Sequence, residues 1–193
     1  MFLKDKIQSA WRLGILNLVR VFVYRTLLKL GIHPAQKLRP TVLVGNFFRE
    51  VEPDLRSLKP NQTWLNSARL FGKHHIIIKN DPPNWHLNLL SGKESFHNNL
   101  DWWNIPDFDS SLGDIKVIWE LSRFDWVIAM AQRARQGDPA ELQRLNHWLR
   151  DWINKNPPYK GSNWKCGQEA SIRLIHLAAA AIILDQVEIT SDA

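Results

Sequence analysis

The chain has 193 residues, 45% of them hydrophobic and 23% charged, with a net charge of +6. That length and balance describe a globular protein with a real core and exclude a disordered chain. Its single cysteine, Cys166, excludes an internal disulfide framework and a cysteine-built zinc cage, and reads as a small apolar packing residue.

The positive charge is uneven. Residues 1–100 carry 15 Lys and Arg against 6 Asp and Glu, whereas residues 101–193 carry 10 against 13. A basic first half is compatible with nucleic acid, anionic lipid or acidic polysaccharide, and its sparse runs also suit solvated helix faces. The first element is an amphipathic helix whose Ile7, Trp11, Ile15, Leu18 and Phe22 form one stripe. Arg12, Arg20 and Arg25 interrupt it, so no spanning segment is expected. Docking on the protein's own core is preferred to lying on a membrane. Gly31 should cap the helix and Pro34 should prevent its continuation.

Thr41 to Phe48 and His75 to Lys79 are candidate short strands. Residues 80–111, rich in Pro, Asn and Asp, predict a long irregular segment that covers a site or another element. Three helices then follow at 113–135, 139–155 and 164–184, stopped in turn by Gly137, by Pro157-Pro158 and by a polar tail. Short connections predict antiparallel neighbours. Leu142, Leu145, Leu149, Trp152 and Ile153 form the buried stripe of the second. Ile172, Ile175, Ala179, Ile182 and Ile183 give the third an apolar face that needs partners, as at the beginning of a larger helical array. The organisation expected is 1–60, a basic helix and linker; 61–111, an irregular segment with a short strand; and 112–193, helices.

Ten tryptophans stand against two tyrosines. Trp126, Trp148 and Trp152 fall at core spacings. Trp119 and Trp164 sit beside polar residues, where an indole can either pack or stack on a pyranose ring. Glu120 and Arg123 are i,i+3 and Glu169 and Arg173 are i,i+4, so each pair shares a helix face. They can form a structural network between helices, or hold guanidinium forks for a carboxylate or sulfate. A helix start near Trp164, next to Asn163, adds free N–H groups that favour an anion. No nucleophile elbow, phosphate loop or metal-binding helix motif is present, and no metal or cofactor is expected. His74-His75 lacks a carboxylate at ligand spacing, and Asp107, Asp109 and Asp114 read as helix caps.

The order Asp114-Ile115-Lys116, Trp119-Glu120-Leu121, Arg123-Phe124, Asp151-Trp152, Asn156-Pro157-Pro158, Gly161, Asn163-Trp164, Gly167, Glu169 and Arg173, preceded by Pro82-Pro83-Asn84-Trp85-His86, resembles the N-terminal helical domain of heparinase II/III-type polysaccharide lyases. The resemblance covers about residues 70–185. It implies a mainly α fold: an incomplete (α/α) toroid of antiparallel helical hairpins, with a basic N-terminal helix and one or two short strands. It also implies an acidic polysaccharide as partner, β-elimination as the reaction and a periplasmic or extracellular setting. Trp119, Glu120, Arg123, Asn163, Trp164, Glu169 and Arg173 become the substrate-binding candidates. The family's catalytic Asn-His and Tyr belong to a later region, with a β-sandwich. Asn146-His147 lies mid-helix, and Tyr24 and Tyr159 lack the matching context, so none is given a catalytic role. The expectation is a portion that is inactive alone. The alternatives are a non-catalytic carbohydrate-binding or scaffolding protein and, third, a nucleic-acid-binding domain, though no nucleic-acid partner is expected.

Overall fold

The computed structural model describes residues 11–41, 44–54, 62–79, 81–106 and 109–187. The chain divides into two compact units, Met1–Val42 and Leu43–Ala193. The first is built on helix α1, Ile15–Lys29, which Gly14 (φ 79) precedes. Gly31 (φ 73) follows, and the Ile32 amide bonds back to the Leu27 carbonyl, the left-handed C-terminal closure expected at that glycine. A 3₁₀ turn, Pro34–Lys37, is capped by the His33 side chain. No residue of α1 is buried, and Ile7 of the expected stripe lies outside the described residues.

The second unit is mainly α-helical, with two small antiparallel sheets: β1 (Ser67–Leu70) on β2 (His74–Ile77), and β3 (Leu87–Asn88) on β4 (Lys93–Glu94). Its helices are α2 (Lys116–Leu121), α3 (Asp125–Arg135), α4 (Pro139–Lys155) and α5 (Gly167–Ile183). Helix α3 packs against both α4 and α5. Segment 61–111 belongs to the same unit as the helices, because its Trp85 lies at the centre of their core.

Two expectations are corrected. Of the candidate strand Thr41 to Phe48, Val42 and Leu43 lie outside the described residues, and 44–48 is not a strand. Its backbone partner is a side chain: Phe48 N donates to Asn146 Oδ1 and Asn146 Nδ2 donates to Phe48 O, each at 2.9 Å. The helix expected over 113–135 is broken at Ser122-Arg123-Phe124, where Phe124 takes φ 71. Packing sustains this left-handed backbone: the buried Phe124 ring lies edge-on to Trp126 at 5.1 Å and to Trp152 at 4.9 Å. Carbonyls freed by the break find new donors, Trp126 Nε1 to Leu121 O (3.0 Å) and His176 Nδ1 to Arg123 O (2.6 Å).

Helix α4 runs as expected. Asp138 caps it by accepting from the Ala140 and Glu141 amides, and Pro139 occupies its first turn. Leu145, Leu149 and Trp152 are buried, with Leu142 and Ile153 packed beside them. Asp114 accepts the Lys116 amide at 3.0 Å just ahead of α2, whose own N-cap is Ile115 with no side-chain cap; Asp109 bonds His97 and Ser111, and Asp107 lies outside the described residues. Helix α5 begins at Gly167, after a 3₁₀ turn at Ser162–Trp164, later than expected. Ala180 and Leu184 enter the core while Ile175 and Ile182 stay exposed, so half of its apolar face has no cover within the described residues.

Trp85, Trp126 and Trp148 form a buried triangle with centroids 5.2–5.7 Å apart. The Trp85 indole N–H donates to Asp151 Oδ2 at 2.7 Å, so the irregular segment is held to α3 and α4 by the ring contacts and the N–H of one side chain. Trp85→Ala should therefore cost about 3–5 kcal/mol in urea unfolding and expose 81–106 to limited proteolysis. Asp138→Ala, which removes only a cap, should cost about 1 kcal/mol and leave that proteolysis unchanged.

Candidate functional site

The seven expected residues converge in the second unit. Trp119 and Glu120 come from α2, Arg123 from the helix break, Asn163 and Trp164 from the 3₁₀ turn, and Glu169 and Arg173 from the first two turns of α5. The break does the positioning. A continuous helix would carry Arg123 along the axis, whereas the turn after Leu121 brings its guanidinium to Glu169.

Arg123 Nε and Nη2 donate to the two Glu169 oxygens at 2.8 Å each, a bidentate fork, and Nη1 donates to Glu120 Oε1. Both carboxylates are buried, while the Arg123 side chain is 24% exposed. The Glu169 bonds, ahead of the opposing effect of burial, raise the Arg123 pKa. Glu120 Oε2 also accepts the Phe71 amide at 2.7 Å, which anchors the β1–β2 turn to α2. Glu120 thus pairs with Arg123 on its own side of the break, but Glu169 pairs with Arg123 and not with Arg173, its expected i,i+4 partner.

Arg173 is left in an unusual state. It is 4% exposed, and Nη1 and Nη2 are buried without a hydrogen-bond partner. Its guanidinium carbon lies 5.0 Å from the Trp152 ring centre and 5.1 Å from that of Trp164. Burial pushes its pKa down to about 10, against the pull of Glu169 and Cys166. Indole faces offset part of the desolvation, and the donors remain unsatisfied.

The remaining residues are engaged internally. Trp119 Nε1 donates to Ser162 O at 2.8 Å and Trp164 Nε1 to Asn156 O at 2.9 Å, so both indole N–H groups are occupied and only ring faces and edges remain for a ligand. Asn163 is fully buried: its Nδ2 donates to Asn156 Oδ1 at 2.8 Å and to Trp85 O at 3.2 Å, while Oδ1 has no partner. The loop before α5 is fastened to residues 95–102 by Gly161 N to Leu100 O (2.8 Å), Trp102 N to Tyr159 O (3.0 Å) and the paired hydroxyls of Ser95 and Ser162 (2.9 Å). Gly161 has φ 76, and a Cβ there would lie 3.1 Å from the Asn98 carbonyl oxygen, so this close approach requires glycine. The anion nearest the start of α5 is the helix's own Glu169.

A separate cleft of about 670 Å³ lies between segment 46–53 and α4, lined by Phe48, Glu50, Leu142, Asn146, His147 and Arg150 among others. None of the seven residues lines it. Asn146 is consumed by the Phe48 backbone and His147 is exposed. His176, which holds the helix break, was invisible in the sequence because its partner is a backbone carbonyl 53 residues away. Elsewhere, the Ser111 hydroxyl and then His97 hold the Asp109 carboxyl down at about 2. Among the described residues no group of three or more His, Cys, Asp or Glu is placed to hold a metal ion, and no helix is long and apolar enough to cross a membrane. Compared with protein families, curated proteins and solved structures, the chain finds no significant match.

Arg123→Ala leaves two buried carboxylates without their cation and should lower stability by about 3–5 kcal/mol, read from chemical denaturation. Arg123→Lys should recover only part of that loss, since an ammonium cannot span both Glu169 oxygens.

Proposed function

We propose that this chain is the N-terminal portion of a polysaccharide lyase acting by β-elimination on uronic-acid-containing polysaccharide, that it contributes a wall of the substrate cleft, and that it is inactive alone. The observation that carries the reading is the buried Arg173 guanidinium, set beside the neighbouring rings of Trp152 and Trp164 with two nitrogens lacking acceptors. A planar fork beside aromatic rings suits a sugar carboxylate: the cation takes the charge and an indole takes the apolar face of the ring. The motif resemblance of residues 70–185 supports the same reading.

In this reading the roles divide. Glu120, Asn163 and Glu169 are positioning residues, with Trp119 bracing the 3₁₀ turn and Arg123 holding the two carboxylates while its exposed edge faces outward. The half-buried ring of Trp164 meets the polymer, and the Arg173 guanidinium buried beside it becomes available to a sugar carboxylate only when the indoles move off it. Neutralising the uronate carboxylate acidifies the C5 proton, which is the electrostatic half of β-elimination. The base and the acid come from the family's later Asn-His and Tyr region, the partner this reading requires. An (α/α) toroid of antiparallel hairpins, of which α2 to α5 form the beginning, is the corresponding architecture.

A second reading, a non-catalytic helical carbohydrate-binding or scaffolding protein, is favoured by one fact: the carboxylates and indole N–H groups of the cluster are saturated internally, leaving none free for proton transfer.

Arg173→Met keeps an unbranched stem beside the indoles and removes the charge. Polyuronate affinity, measured by titration calorimetry with alginate and heparan sulfate, should fall at least about tenfold, the equivalent of one lost charge-assisted contact. Folding stability should be unchanged or rise by about 1–3 kcal/mol, because a buried cation without an acceptor has been removed. Unchanged affinity, or unfolding, would make Arg173 structural. The two readings separate on product: unsaturated uronate formed when the chain acts with a catalytic region supports the lyase, and saturable binding without any such product supports the binding protein.

A further inference from the structure

Residues 11–41 have a composition unlike the rest of the chain. From Lys6 to Arg49 the sequence contains no Asp or Glu, while Arg12, Arg20, Arg25, Lys29, Lys37 and Arg39 all fall within 11–41. The same stretch is strongly apolar, and none of α1 is buried. Its large hydrophobic side chains from Trp11 to Tyr24 are between 38% (Leu18) and 75% (Trp11) exposed. Ile15, Leu18 and Phe22 make one row along the helix and Leu16, Val19 and Val23 make a second, so apolar surface covers more than a single stripe. A helix of this kind belongs in a low-dielectric surrounding rather than in water.

We propose that residues 11–41 form an interfacial anchor that lies on anionic lipid bilayers, with α1 embedded at the level of the headgroups and upper acyl chains. Charge complementarity selects this occupant. A second copy would bring the same acid-free, cationic surface against itself, with no carboxylate to neutralise it, whereas an anionic leaflet supplies the counter-charge and the apolar medium together. The geometry selects a helix in the interface rather than across it. Fifteen residues at 1.5 Å rise give about 22 Å, short of the roughly 30 Å hydrocarbon core, and Gly14 interrupts the helix on its N-terminal side. Cations gather toward the C-terminal end, at Arg25 and Lys29 and then Lys37 and Arg39, where long stems reach headgroup phosphates while the aliphatic part stays among the chains. Trp11 and Tyr24 are the residue types that settle at such an interface; Tyr24 packs edge-on against His33 at 4.9 Å, which steadies the turn that follows the helix. The proposal is independent of the polysaccharide reading, since it uses no residue of the Arg123 and Arg173 cluster.

The test is flotation of the full chain with vesicles of phosphatidylcholine alone and of phosphatidylcholine mixed with phosphatidylglycerol, free of any polysaccharide. The chain should float with the anionic vesicles, bind the neutral ones at least about tenfold less, and be released progressively by added salt. Leu16→Glu with Phe22→Glu should abolish flotation, and Lys37→Glu with Arg39→Glu should weaken it about tenfold or more. Near-ultraviolet circular dichroism of the variants should match the parent, because the buried tryptophans all lie in the second unit. Failure to float, equal binding to neutral and anionic vesicles, or flotation that survives the Leu16 and Phe22 substitutions would overturn the proposal. So would sedimentation showing a salt-insensitive dimer that these substitutions dissolve, which would assign the helix to a second copy.

Discussion

The bidentate grip of Arg123 on Glu169, extended to Glu120, is the contact on which the helical unit depends. It joins α2 to α5 across a helix break, and through the second Glu120 oxygen it reaches the Phe71 amide and the β1–β2 hairpin. Two carboxylates in a core are tolerable only with a cation that satisfies both, and a guanidinium fork can do so where an ammonium cannot. Because this fork is committed to Glu169, the second arginine of the motif, Arg173, is left with aromatic faces in place of an acceptor. Structural order and the candidate binding feature thus arise from one choice of pairing.

Tryptophan is the material of this core for a related reason. Each indole supplies a large apolar face and one N–H, and the N–H groups are used where irregular backbone needs donors: at Leu121 O beside the helix break, at Asn156 O and Ser162 O in the loop before α5, and at Asp151 for the segment around Trp85. Aliphatic side chains would fill the same volume and leave those acceptors unsatisfied. Asn156 and Asn163, buried and bonded to each other, serve the same loop. A long irregular segment can therefore lie against helices without a sheet to hold it.

The two units differ in what they bury. The second closes an aromatic core around α3, although Leu174, Ile175 and Ile182 remain exposed along α5; the first buries no residue of α1. The heparinase II/III reading concerns only the second unit, and the lipid reading only the first. The two proposals invoke different physics of charge recognition: diffuse and salt-screened at lipid headgroups for the first unit, localised and directional at the guanidinium for the second.

Periodicity and punctuation made several elements readable in the amino-acid order alone. The α4 limits follow from Asp138, Pro139 and Pro157-Pro158, the α1 terminus from Gly31, and the buried roles of Trp126, Trp148 and Trp152 from their spacing. Such signals act within one or two turns of chain, so local composition contains them. The membership of the candidate cluster was legible too, as seven residues in order; its wiring was not. Spacing pairs Glu169 with Arg173, yet Glu169 lies against Arg123, 46 residues away, because a left-handed Phe124 turns the chain there. Nothing local calls for that conformation in a phenylalanine. It persists because Trp126, Trp152 and His176 surround it, and such contacts exist only once the helices have packed. Likewise the Thr41 to Phe48 stretch has strand-forming residues, but the Phe48 backbone meets the Asn146 amide instead of a neighbouring strand. Local propensity set the elements, and long-range packing of buried polar groups, each requiring a partner, decided how they are joined.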